Sequence, residues 1–227
     1  TETLEVCMAK NKNQDERTGN GGNGQPAKAH GAEDLVHIGR RPPVVGLCSS
    51  AGGLNALTRF FGSVPADSGA SFVVVPHLDP NHKSMMVELL AKHTAMGVSE
   101  VTEGTPLQAN HVHVIPPNRD LSVENGILRL SQPMKPRGTR TAIDSFLRSL
   151  ADDQGERAIA VVISGTGSHG SLGIKDVKLK GGMVMAQEPE SAEYASMPRS
   201  AIETGLVDYV LKPEEMPSAL VKFIRHG

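Results

Sequence analysis

The chain has no tryptophan, and its aromatic content is low throughout, with five phenylalanines and two tyrosines. It has only two cysteines. Cys7 lies in a polar stretch and Cys48 closes an apolar run. That excludes a disulfide framework and fits a reducing compartment. Long apolar runs are also missing. Phe72-Val73-Val74-Val75 is typical of those present, far below the roughly 20 residues that span a bilayer. No secretory pattern opens the sequence. A cytoplasmic protein without membrane insertion is expected. Lys and Arg total 23 against 25 Asp and Glu, a formal net charge of −2. Without a basic surplus, a nucleic-acid partner is not expected. The first strand, Val44–Cys48, is not followed by G-x-G-x-x-G, and no G-K-[ST] motif is present, which argues against a nucleotide-binding module, and no internal repeat is visible.

What is there divides into two textures. Residues 1–43 are polar, and Thr18-Gly19-Asn20-Gly21-Gly22-Asn23-Gly24 has too little apolar surface to offset the entropy of ordering it. This segment is expected to be a disordered tail or linker. From Val44 onward, apolar runs of strand length alternate with helix-period segments, and 44–227 reads as one domain. Strands are expected at 44–48, 71–76, 158–164, 183–187 and 207–211, with 111–115 alternating. Helices are expected at 52–62, 81–94, 141–152, 170–180, 196–204 and 213–225, the second capped by Asp79 or Asn81. Asn125-Gly126 between two short apolar segments signals a hairpin. The pattern predicts an α/β fold. Its doubly wound, mostly parallel sheet has helices on both faces and an antiparallel hairpin at the edge.

In such sheets ligands bind beyond the carboxyl ends of the strands. Three of those ends carry reactive residues: Cys48-Ser49-Ser50-Ala51-Gly52-Gly53, Pro76-His77-Leu78-Asp79-Pro80, and Gly165-Thr166-Gly167-Ser168-His169-Gly170. A serine between strand and helix exposes its hydroxyl, and the following amides point toward a developing oxyanion. Ser50 is thus a candidate nucleophile, although a capped tight turn would look the same. His77 is a candidate base, although a loop histidine would look the same. Ser49 and Cys48 are weaker rivals to Ser50. His111 and His113 share one strand face, and His77, His82 and His169 lie near strand ends. Without paired carboxylates they are a weak metal signal, so neither a metal nor another cofactor is expected.

Taken in order, the segments Val45-Gly46-Leu47-Cys48-Ser49-Ser50-Ala51-Gly52-Gly53-Leu54, Pro76-His77-Leu78-Asp79-Pro80, Ile115-Pro116-Pro117-Asn118-Arg119-Asp120, Ile163-Ser164-Gly165-Thr166-Gly167-Ser168-His169-Gly170 and Met197-Pro198-Arg199-Ser200-Ala201-Ile202 resemble the CheB chemoreceptor methylesterases. The wording is most similar to the methylesterase part of methylesterase–methyltransferase fusions. The resemblance implies hydrolysis of glutamate methyl esters on chemoreceptor helices in chemotaxis signalling, with related glutamine deamidation. It also implies methyltransferase or signalling domains as fusion partners. Ser50 matches the nucleophile and His77 the base. The backbone of Ala51, Gly52 and Thr166 matches the oxyanion-binding region. Such proteins usually carry a receiver domain ahead of the esterase. Only 43 residues precede Val44, so control by phosphorylation within this chain is not expected.

The sequence departs from the family where the chemistry is concentrated. His169 stands at the position of the catalytic Asp, Cys48 replaces a Gly before the nucleophile, and Pro76 replaces a Gln before His77. A neutral imidazole brings no negative charge to support His77. Asp79, Asp120 and Asp144 are the carboxylates considered as substitutes. Two readings follow: a Ser-His esterase weakened by loss of the triad Asp, or a catalytically inactive domain that docks on receptors.

Overall fold

The computed structural model describes residues 41–76, 85–133 and 142–226. Residues 1–40 of the expected tail lie outside the described residues. So do His77, Asp79, Asn81 and His82, with the expected caps of the second helix.

Seven strands form one sheet: β1 (Val44–Ser49), β2 (Ser71–Pro76), β3 (Gly97–Glu100), β5 (His111–Val114), β8 (Ala158–Val162), β9 (Met183–Gln187) and β10 (Tyr209–Leu211). Their order is β10-β9-β8-β1-β2-β5-β3, and every pairing is parallel. The chain runs outward from β1 to β2 on one side and from β8 to β9 on the other. The direction of winding therefore reverses between β1 and β8.

Helices α1 (Gly53–Phe61), α2 (Met86–Leu90) and α6 (Met216–His226) cover one face. Helices α3 (Ala142–Gln154), α4 (Gly173–Leu179) and α5 (Ser196–Glu203) cover the other. Side chains on a strand alternate between faces. Val45 and Leu47 accordingly join the core under α1, while Val44 and Cys48 join the core under α3. The phenylalanines are placed in these cores, while Tyr194 and Tyr209 are exposed. Phe60, Phe61 and Phe72 meet edge to face at ring separations of 5.3–6.2 Å. Each such burial contributes about 1.5–3 kcal/mol. Gly46 lets α3 approach β1, because a Cβ there would lie 2.8 Å from the Phe146 ring.

The fold is therefore the doubly wound parallel type, with one difference in detail. The Asn125-Gly126 hairpin, β6 (Asp120–Glu124) and β7 (Ile127–Ser131), does not extend the large sheet. With β4 (Thr105–Pro106) it makes a separate three-stranded antiparallel sheet, order β4-β7-β6. Asn125 and Gly126 both have positive φ, 55° and 76°, as a two-residue type I′ turn requires. The hairpin's apolar residues Leu121, Val123 and Leu128 pack into the α3-side core. That attachment orients it over the sheet face and not along the sheet edge.

Two further differences are local. Among the described residues α2 is one short helix ending at Leu90, where the expected segment ran to Thr94. Thr94 Oγ1 instead accepts the Met96 N–H at 3.1 Å. Strand β3 has no apolar run to announce it. Its residues are partly or fully exposed, and it is held by parallel pairing with β5.

Candidate active site

Ser50 follows the last residue of β1, the central strand, and lies beside the crevice where the winding reverses. Its N–H donates to the Ser164 carbonyl at 3.0 Å, and its carbonyl accepts the Gly53 N–H at 3.0 Å. Those two bonds turn the chain from strand into helix. The turn needs its glycines. Gly52 has φ +70°, the left-handed region, and a Cβ there would lie 2.8 Å from both Ser164 Oγ and Glu193 Cβ. A Cβ at Gly53 would lie 2.5 Å from Ser49 Cβ. Ser50 is half-buried. Among the described residues, no group accepts the N–H of Ala51, Gly52 or Thr166. These amides are available to a ligand at the turn.

The loop after β8 packs directly against this turn. A Cβ on Gly165 would fall 2.9 Å from Ser50 Cβ and overlap Met197 Sδ. Ser164 ties three loops together. Its hydroxyl donates to the Ala51 carbonyl at 3.0 Å and accepts the Tyr194 N–H at 3.0 Å, and its own N–H donates to Gln187 Oε1 at 2.8 Å. The Gly165 N–H donates to the Tyr194 carbonyl at 2.9 Å, and the Met197 N–H donates to the Gly165 carbonyl at 3.0 Å. Residue-type reasoning passed over Ser164, Gln187 and Tyr194 as builders of the site. The available signal was a polar residue closing an otherwise apolar strand, at 164 and again at 187. Glu193 was also missed. It is exposed and flanks Gly52.

Thr166 is exposed in the same loop. His169, half-buried, sits where that loop turns toward α4. His169 lines a cavity of about 40 Å³ together with Pro76, Asn118, Arg119, Asp120 and Ile143. The cavity lies at the carboxyl end of the sheet, next to the residue that precedes His77. His77 itself lies outside the described residues, as does Asp79.

The rival nucleophiles fare poorly. Ser49 and Cys48 are both fully buried. Burial, and then the Asp144 carboxylate, pushes the Cys48 thiol far above its usual range, so no thiolate is available. Asp144 is itself committed. It is 7% exposed, and its Oδ1 accepts the N–H of Leu172 at 3.1 Å and of Gly173 at 2.9 Å, capping the start of α4. The rings of His111 and His113 on β5 lie 4.6 Å apart between centroids, tilted by 43° to each other. Among the described residues, no three His, Cys, Asp or Glu are grouped as metal ligands. None of the described helices is long and apolar enough to cross a membrane.

A parallel, doubly wound sheet with a serine-bearing turn at its switch point defines an α/β domain of the kind that holds its chemistry at the strand ends. Residues 45–220 match the model of the CheB methylesterase family, and the chain belongs to that family. It is 31% identical over 184 residues to the Pyrococcus horikoshii protein-glutamate methylesterase/protein-glutamine glutaminase, covering 79% of this chain and 50% of that protein. The chain thus spans about half the length of this curated relative. It is 44% identical over 131 residues to an uncharacterized 104.1 kDa protein of Rhodobacter capsulatus, covering 58% of this chain and 14% of that protein. The crystal structure of the Thermotoga maritima CheB methylesterase catalytic domain superposes with a TM-score of 0.74 at 30% identity. The match covers 80% of this chain and 98% of that one.

Proposed function

We propose that this domain hydrolyses glutamate γ-methyl esters on chemoreceptor-type helices, with glutamine deamidation as the related reaction. The observation that carries the reading is the Ser50 turn: a half-buried serine at the end of the central strand, backed by Gly165 and flanked by uncommitted amides. Family membership supplies the ester as substrate class.

In this reading Ser50 Oγ attacks the ester carbonyl while His77 takes the hydroxyl proton. The tetrahedral oxyanion is met by the amides of Ala51 and Gly52 and by the backbone at Thr166. His77 returns the proton to the departing methoxide, releasing methanol. Water then repeats the sequence on the acyl-enzyme, freeing the glutamate carboxylate and restoring Ser50. His169 occupies the third position. It can accept a hydrogen bond from His77 but does not supply the charge that stabilises an imidazolium. Loss of the Asp function in such triads costs about 10⁴-fold, roughly 5–6 kcal/mol of barrier. The oxyanion contacts and binding alone retain about 10³–10⁴-fold over water. A slow esterase is expected. The small share of the Rhodobacter protein covered by the match fits a module carried in larger chains, with methyltransferase or signalling domains as neighbours.

The same substitution at position 169 favours a second reading, an inactive domain that keeps the fold and docks on receptors. Hydrolysis of a methyl-esterified receptor peptide by wild type, Ser50→Ala and His169→Asp separates the two. A slow, Ser50-dependent rate that rises with His169→Asp supports the esterase. A wild type indistinguishable from Ser50→Ala, with no gain from His169→Asp, supports the docking module.

A further inference from the structure

We propose that Asp120 is the positioning carboxylate of this site, holding the imidazole of His169 across the cavity that both residues line. The proposal deepens the hydrolase reading above and rests on it for its kinetic consequence. Asp144 has its buried oxygen filled by two amides of α4. Glu193 is exposed and lies on the Gly52 side of the serine turn, where solvent screens its charge.

Asp120 differs from both. Its Oδ1 is buried and has no hydrogen-bond partner among the described residues. A carboxylate oxygen removed from water without a donor is costly and rare in folded proteins, and it calls for a reason. The backbone beneath it is fixed. Asp120 opens β6 and pairs with Ser131, and two residues earlier Asn118 takes a left-handed φ of 57° after Pro116-Pro117. The cavity in front of it is lined on another side by His169 and measures about 40 Å³, enough for a single bridging water.

The chemistry suits a histidine that stands in for a carboxylate. A neutral imidazole has one N–H and one bare nitrogen. If the N–H is directed toward Asp120, the bare nitrogen is left to accept the ring N–H of a second histidine. In the hydrolase reading above, the negative charge then acts on the general base one residue removed, through position 169. No proton needs to leave Asp120 or be gained by it for this to work.

A double-mutant cycle tests the idea, with a synthetic helical peptide carrying a glutamate methyl ester as probe. Asp120→Asn is expected to lower kcat about tenfold or more with KM little changed, a fraction of the full loss of a triad carboxylate. In the His169→Asp background, where a carboxylate already stands at 169, the same change is expected to cost less than about threefold. An equal loss in both backgrounds would assign Asp120 a structural role and overturn the proposal, as would no loss in the wild type. The second arm needs no activity. The ring ¹⁵N shifts of His169, assigned by their absence in His169→Asp, report its tautomer. Asp120→Asn is expected to move them, and unmoved shifts overturn the pairing. Wild type without Ser50-dependent hydrolysis would defeat the parent reading alone, leaving the ¹⁵N result to decide the pairing.

Discussion

Replacing Asp144 by Ala should unfold this domain more readily without touching the chemistry, and the size of the effect can be worked from its contacts. Asp144 lies in the first turn of α3, and its Oδ1 takes two amide protons, from Leu172 and Gly173. Those amides belong to the N-terminus of α4, where helix N–H groups lack partners within the helix and favour negative charge. Gly173 is packed so closely that a Cβ there would lie 3.0 Å from the Asp144 backbone, so water has little room to replace the carboxylate. Hydrogen bonds to a charged group contribute about 1.5–3 kcal/mol each. Losing two, with partial relaxation, should cost about 3–5 kcal/mol of a total near 5–15 kcal/mol. Asp144→Asn keeps an acceptor and loses only the charge, so it should cost about 1 kcal/mol. Urea unfolding followed by circular dichroism measures both. An Asp144→Ala midpoint equal to that of wild type would refute the capping argument. So would an Asp144→Asn protein of normal stability that has lost its hydrolysis, since Asp144 would then belong to the reacting groups.

Two other perturbations follow from the same geometry. His113 is 1% exposed, and its Nδ1 has no partner among the described residues; burial, and then the neighbouring His111, lowers its pKa from 6.5 to about 4. The unfolded chain therefore binds a proton below pH 6.5 that the native state refuses, so stability should fall by about 2 kcal/mol between pH 7.5 and pH 5 and stop falling near pH 4. Urea midpoints across that range should show the slope, and His113→Leu should flatten most of it. Gly53→Ala should destabilise by about 1–3 kcal/mol even though alanine is the better helix former, because its Cβ would meet Ser49 Cβ at 2.5 Å. A thermal midpoint above that of wild type would show that the turn has slack to absorb it.

The large features of this fold were legible because they rest on local pattern. Apolar runs such as Phe72–Val75 announce buried parallel strands, and Asn125-Gly126 announces a hairpin through the positive φ that it adopts. The hairpin's destination was not legible. Whether it borders the large sheet or makes a second one depends on which core takes Leu121, Val123 and Leu128, and that is a tertiary matter. Strand β3 was illegible for a related reason: its stability lies in the ladder with β5, not in burial of its own side chains. At the site, Ser50 and the glycines after it could be read from their types. The cross-ties through Ser164 could not, because they join residues 113 and 30 positions apart.

The carboxylates show most plainly where reading by residue type ends. Asp120 and Asp144 are equivalent candidates in the sequence, each a lone acid near a predicted element boundary. Their roles separate only when donors are counted. Asp144 meets two amides whose loss would expose a helix end, so its charge is committed to holding α4 against α3. Asp120 has a buried oxygen with no partner among the described residues, and it lines one cavity with His169, which the hydrolase reading places third in the triad. Meanwhile the Ser50 turn is tied to Ser164 and backed by Gly165, contacts in which position 169 takes no part. In the hydrolase reading proposed above, a histidine at 169 therefore lowers the charge of the site while these serine contacts stay in place, and a carboxylate on another strand can act instead.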